Sequence, residues 1–180
     1  MWLLVTVVTV VALVATYLTW LAGRLDRLHG RVEAARAGLD AQLVRRAAAA
    51  GELAAYAART GWPASDADAL AAAAAAARVV GAPDREEVEN NLSRALRGVL
   101  TALPPPGDAD ADGDRQRLLA ELEAASTRVV LARRFHNDAV RDTRSLRSRR
   151  VARWLRLAGH APIPAYFEID DTALVAATAG

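Results

Sequence analysis

The chain has 180 residues, a formal charge of +2 and no cysteine, and hydrophobic residues make up 53% of it against only 5% aromatics. The missing cysteine excludes disulfide frameworks, thiolate zinc sites and cysteine nucleophiles, and the mild charge, carried on the basic side entirely by arginine, gives no reason to expect a nucleic-acid partner. Much of the hydrophobic content is alanine, and an alanine-rich, aromatic-poor chain suits closely packed helices better than a sheet.

The opening run MWLLVTVVTVVALVATYLTWLAG, residues 1–23, carries no charged side chain. About 20 apolar residues in a helix cross a hydrocarbon core of roughly 30 Å. Trp2 at one end and Tyr17 and Trp20 at the other suit the two interfaces. A cleaved signal peptide needs a basic leader and a shorter apolar core, so the run reads as a retained transmembrane anchor. Arg24, Arg27, Arg31 and Arg36 follow it directly, which places the body in the cytoplasm and the N-terminus outside.

Residues 24–60 keep a helical beat continuous with the anchor. Leu25, Leu28, Val32, Ala35, Leu39, Gln42, Arg46, Ala49, Leu53 and Tyr56 step by 3 and 4, a heptad seam. Gln42 and Arg46 break its apolar character, and a shift onto Leu43, Ala47 and Ala50 repairs it at the cost of a stutter. Gly61-Trp62-Pro63 ends the helix. Ser65, with Asp68 three residues on, is expected to cap a short second helix through the alanine run 71–77. Pro83 and Asp84 open a third, with Val88, Leu92, Ala95, Val99 and Leu103 as its stripe, stopping at Pro104-Pro105-Pro106.

Asp108, Asp110, Asp112 and Gly113 match the start of an EF-hand loop, but its twelfth position is Leu119 rather than glutamate. An acidic turn leading into a helix N-terminus explains the run better. The fourth helix is expected over about 114–157, with Leu118, Leu122, Ala125, Val129, Ala132, His136, Ala139, Thr143 and Leu146 as its seam. At 1.5 Å per residue the first helix rises about 55 Å from the membrane, and the fourth is long enough to return. Its arginine-rich end (Arg144, Arg147, Arg149, Arg150, Arg153, Trp154 and Arg156, beginning near Arg141) should then lie beside the bilayer. Contact with anionic headgroups is worth ~1 kcal/mol per basic residue. The tail, residues 159–180, holds too many prolines to remain helical and is expected to be extended or disordered.

The fold class that follows is all-α. A transmembrane anchor (1–23) precedes an antiparallel helical bundle (24–158) with two long helices and two short ones between them.

Several segments resemble the LemA family of bacterial membrane-anchored proteins: RVEAARAGLDAQLVRR (31–46), ENNLSRAL (89–96), ELEAASTRVVLARRFHNDAVRD (121–142) and AYFE (165–168). Asp40, Gln42, Leu43, Arg45 and Arg46 match its first motif. Glu89, Asn90, Leu92 and Ser93 match the second. Glu121, Leu122, Glu123, Arg128, Ala132, Arg133, Asn137, Ala139 and Val140 match the third, and Tyr166, Phe167 and Glu168 the tail. Gly51-Glu52-Leu53 stands where the family has Pro-Asn-Leu, Arg36 where it has tryptophan, His136 where it has tyrosine, and arginine-rich sequence where it has an Asn-Pro break. The resemblance implies a helical bundle behind one membrane span and an interaction or scaffolding role in the cell envelope; it does not imply a reaction.

The residues themselves point the same way. His29, His136 and His160 are far apart, without a metal-ligand spacing, and no nucleophile elbow or phosphate loop occurs. No catalytic residue, cofactor or metal is expected. Asp40, Gln42, Arg46, Asn90, Glu121, Arg128, Arg133, His136 and Asn137 are read as a polar network between helices, or as groups that bind a partner. Polar side chains in an alanine-rich bundle fix register at some cost in stability. The expected function is a single-pass scaffold or adaptor at the cell membrane that binds protein partners or forms a homo-oligomer. The alternative is a lipid-surface module using the arginine-rich end of the last helix.

Overall fold

The computed structural model describes residues 1–79, 81, 84–102, 109–148 and 162–170 (for 109–112, the backbone). Among them the fold is an all-α bundle of four helices: α1 (Trp2–Arg59), α2 (Ala64–Ala77), α3 (Arg85–Thr101) and α4 (Ala109–Ser148). The chain divides into two compact units, one of Met1–Arg36 with Phe135–Tyr166, the other of Ala37–Arg134 with Phe167–Gly180.

The first unit holds the apolar stretch of α1. This stretch is long and apolar enough to cross a membrane, and its large side chains lie exposed, from Trp2 and Leu3 to Tyr17 and Trp20. Each of its threonine hydroxyls, on Thr6, Thr9, Thr16 and Thr19, donates to the carbonyl four residues back at 2.9–3.0 Å. A threonine so bonded leaves no polar group requiring water. Below the stretch, Leu21 and Leu25 of α1 pack with Leu146 of α4. The Thr143 hydroxyl bonds Ala139 O at 2.8 Å and lies 3.5 Å from Leu28 O of α1. The end of α4 therefore returns to the foot of the apolar stretch, as its length implied.

In the second unit α1, α2, α3 and the N-terminal half of α4 share one core, including Ala47, Ala50, Leu53, Leu70, Leu92, Leu96 and Leu122. Burying one such leucine contributes about 1.5–3 kcal/mol. The buried line on α1 runs Leu39, Leu43, Arg46, Ala50, Leu53, Ala57. It takes the stuttered route: after Leu39 the step is 4 instead of 3, which moves the core from Gln42 to Leu43. Gly51 faces Ala74 of α2, whose Cβ would lie 3.9 Å from a Cβ added there, and α1 passes through it unbroken. In both units residue numbers fall on α4 as they rise on α1, so the two long helices pair antiparallel. The seam of α4 is buried as read, from Leu118 to Leu146, with only Ala132 partly exposed.

Three local expectations need correction. The residue before α2 is Pro63, without a side-chain cap, and Ser65 lies inside the helix. The acidic run is not a linker: α4 begins at Ala109, so Asp110, Asp112 and Gly113 are helical, which removes the calcium-loop geometry. On α3 the fully buried line is Arg85, Glu89, Leu92, Leu96, Val99, while Val88 and Ala95 of the expected stripe are partly buried and pack against the edge of the same core. Hydropathy drew the reading to the apolar neighbours, whereas the true seam begins with two charged residues. Leu103, Pro104 to Pro106 and residues 149–157 of the expected fourth helix lie outside the described residues.

The turn at Gly61 is as read. Its φ is +78°, a conformation that favours glycine, and it lets Trp62 fold back edge-on to Tyr56 at 6.4 Å.

Candidate functional site

The most unusual chemistry in the bundle is a buried charge cluster between α1 and α3. Arg46 Nη2 donates to Glu89 Oε2 at 2.6 Å. Arg85, one turn before Glu89 on α3, places its Nη2 3.0 Å from the other carboxylate oxygen and donates Nη1 to Val79 O. The three side chains are only 2%, 4% and 0% exposed for Arg46, Arg85 and Glu89. Burial pushes the Glu89 carboxyl up from its ordinary range; the neighbouring Arg46, then Arg85, pull it back down, and Asp40 adds to the rise. Around the cluster, Gln42 Oε1, Ser93 Oγ and the Nε atoms of both arginines are buried without hydrogen-bond partners among the described residues. Such a cluster is a weak source of net stability, but removing one partner leaves a buried charge uncompensated.

A second feature is the extended segment 162–170. In the second unit its side chains alternate: Phe167 and Ile169 are buried with Leu39, Leu43 and Val129, while Glu168 and Asp170 point outward. A helix cannot complete a strand's backbone hydrogen bonds, so side chains of α3 do it. Glu86 accepts from Glu168 N at 2.9 Å and Asn90, one turn on, accepts from Asp170 N at 2.8 Å. Arg97 then pairs with the Asp170 carboxylate at 2.8 Å. In the first unit His136, 3% exposed, lies with Nε2 3.3 Å from Ala165 O, which requires the proton on Nε2.

The residues read as a polar network therefore divide. Arg46 enters the charge cluster, with Asp40 and Gln42 half-buried beside it on α1. Asn90 and His136 hold the backbone of the C-terminal segment. Arg133 and Asn137 are half-buried. Glu121 and Arg128 are exposed, and Glu121 pairs with Arg117 of its own helix at 3.1 Å. Each precedes a seam residue, Leu122 or Val129, and one residue turns a helix by about 100°, so among the described residues these two stand on the flank of the seam rather than in it. Sequence reasoning missed Arg85, whose signal was its i, i+4 spacing to Glu89, and the use of Phe167 as a core residue.

Of the arginines expected at the membrane surface, Arg144 lies over the Tyr166 ring at 5.1 Å. Arg147 donates to Pro162 O at 2.9 Å and approaches His29 Nε2 at 3.3 Å. His29 Nδ1 is 2.9 Å from Leu25 O; donating there leaves Nε2 as the acceptor for Arg147. Both arginines thus engage the chain itself. Arg149, Arg150, Arg153, Trp154 and Arg156 lie outside the described residues. No group of three or more metal-ligating side chains occurs among the described residues.

No protein-family model, curated protein or solved structure matches this chain. The geometry therefore carries the functional reading. It offers a buried charge cluster between α1 and α3, a C-terminal segment bound to α3, and an apolar helical stretch with exposed side chains.

Proposed function

We propose that the chain is a single-pass membrane protein of the LemA type, whose cytoplasmic helical body acts as a scaffold or adaptor for protein partners. The supporting observation is the form of α1. Its first residues are apolar on every side and exposed, and the same helix continues into the bundle. A helix apolar all round requires a nonpolar surrounding, and the arginines after it favour the cytoplasmic side for the body. On the body, Leu131 and Phe135 are 47% and 68% exposed, which makes each a position where a partner or a second copy would be met.

Photo-crosslinkers placed at Leu131 and at Phe135 of the full chain in living cells test the reading. A discrete heteromeric or homomeric product is expected. Recovery of neither, at expression levels where the chain is folded and in the membrane fraction, rejects the scaffold role.

A further inference from the structure

Below the apolar stretch, within the first unit, α1 and α4 enclose a cleft of about 550 Å³. Trp20, Arg24, Arg27 and Arg31 line it from α1, Asp142 and Ser145 from α4. The spacing 24, 27, 31 puts the three arginines on one helical face. Arg24 lies over the Trp20 ring at 5.5 Å. Among the described residues none of the three makes an ion pair, while one carboxylate, Asp142, shares the cleft. Three guanidinium groups against one carboxylate leave the cleft with an excess of positive charge, and an anion between the arginines relieves their mutual repulsion. Arginine's planar fork suits phosphate oxygens in particular.

Position selects the source of the phosphate. The arginines begin directly after Gly23, where the uncharged stretch ends, and Trp20 is a side chain suited to the headgroup layer. Arg144 and Arg147 on α4 are engaged with Tyr166, Pro162 and His29, so among the described residues the cations that line the cleft are those of α1. We propose that this cleft binds the phosphodiester headgroup of an anionic phospholipid, with Arg24, Arg27 and Arg31 on the phosphate and Ser145 on its polar substituent. The proposal rests on the apolar stretch of α1 spanning the membrane. It adds a cleft at the foot of that stretch to the arginine-rich end of the fourth helix as a place of lipid contact.

The test uses the full chain in neutral detergent, titrated with phosphatidylglycerol or phosphatidylcholine and read by native mass spectrometry. Saturable retention of phosphatidylglycerol, on the order of tenfold above phosphatidylcholine, is expected from a few charge-assisted contacts. R24Q/R27Q/R31Q should reduce it to the phosphatidylcholine level. S145W, which fills the cleft without changing charge, should do the same, while R45Q/R128Q/R134Q, which removes as much charge from exposed sites of the second unit, should retain the lipid. Equal retention of both lipids, an unaffected S145W, or an equal loss in the charge control overturns the proposal. Displacement of the lipid by equimolar inorganic phosphate would make the ligand a soluble phosphate and overturn the headgroup assignment. Alkaline carbonate extraction separates the two levels: a chain released from membranes fails the anchor reading and the cleft with it, whereas a retained chain that ignores phosphatidylglycerol fails the cleft alone.

Discussion

Arg46 and Glu89, 43 positions apart in the sequence, meet at 2.6 Å with both side chains buried. With Arg85 they form a buried ion cluster that ties α1 to α3. Removing one partner should therefore cost more than removing all three. Arg46→Met is expected to lose about 3–5 kcal/mol in urea unfolding, and R46M/R85M/E89L to recover most of it. A triple variant less stable than the single one would show that the cluster contributes net stability.

The same carboxylate gives a pH dependence of definite sign. Burial holds the Glu89 carboxyl above its ordinary 4.5 despite the arginines. A carboxyl whose folded-state pKa is raised binds its proton more tightly in the folded chain. Its contribution is then full below 4.5 and lost as the pH rises through the folded-state value. The stability of the wild type relative to Glu89→Gln should accordingly fall as the pH rises from 4.5 through the raised folded-state value. A flat or rising difference in denaturation curves would contradict the assignment.

The C-terminal segment is held chiefly by Phe167. Phe167→Ala should cost about 3–5 kcal/mol and accelerate amide exchange at Glu168 and Asp170, whose N–H groups are bound by Glu86 and Asn90. Asn90→Ala should cost about 1 kcal/mol and accelerate exchange at Asp170 alone. Unchanged exchange in Phe167→Ala would mean that the segment is anchored elsewhere.

Two glycines should respond in opposite directions. Gly38 lies inside α1 with nothing within 4 Å of an added Cβ. Gly38→Ala should stabilise by about 0.5–1 kcal/mol. Gly61, at φ +78°, should lose about 1 kcal/mol on substitution by alanine. Thermal unfolding of the two variants checks both signs.

The topology proposed for the body can be read directly, because the chain has no cysteine of its own. Thr127→Cys, at an exposed position on α4, should react with a membrane-impermeant maleimide only after the cells are permeabilised. Labelling of intact cells would place the body outside.

Much of the fold was legible because helical periodicity is local. The seam of α4 from Leu118 to Leu146 could be read without knowing what packed against it, and the turn at Gly61 needs only the local demand for positive φ. On α3 the same method slipped by a fraction of a turn. Apolarity favoured Val88 and Ala95, while Arg85 and Glu89 are buried because Arg46 meets them there, and nothing within α3 announces Arg46. The candidate site was legible in part: Arg46, Asn90 and His136 each bind a distant segment, but their partners could not be read from spacing. Glu121 and Arg128 look similar in sequence and face solvent, since one residue of rotation on a helix separates a seam from its flank.

Composition and periodicity by themselves determined an all-α chain, an apolar opening stretch long enough for a bilayer and two long helices able to pair, because each depends on neighbours within a turn or two. Tertiary structure alone decided which charges went inside, that the stutter on α1 puts Leu43 rather than Gln42 in the core, and that Phe167 closes it. Those outcomes depend on groups dozens of residues apart, where burial, not propensity, sets the energy. The cleft at the foot of the apolar stretch is of the same kind: Arg24, Arg27 and Arg31 share a face by local geometry, but only the return of α4 to Leu25 gives that face a second wall.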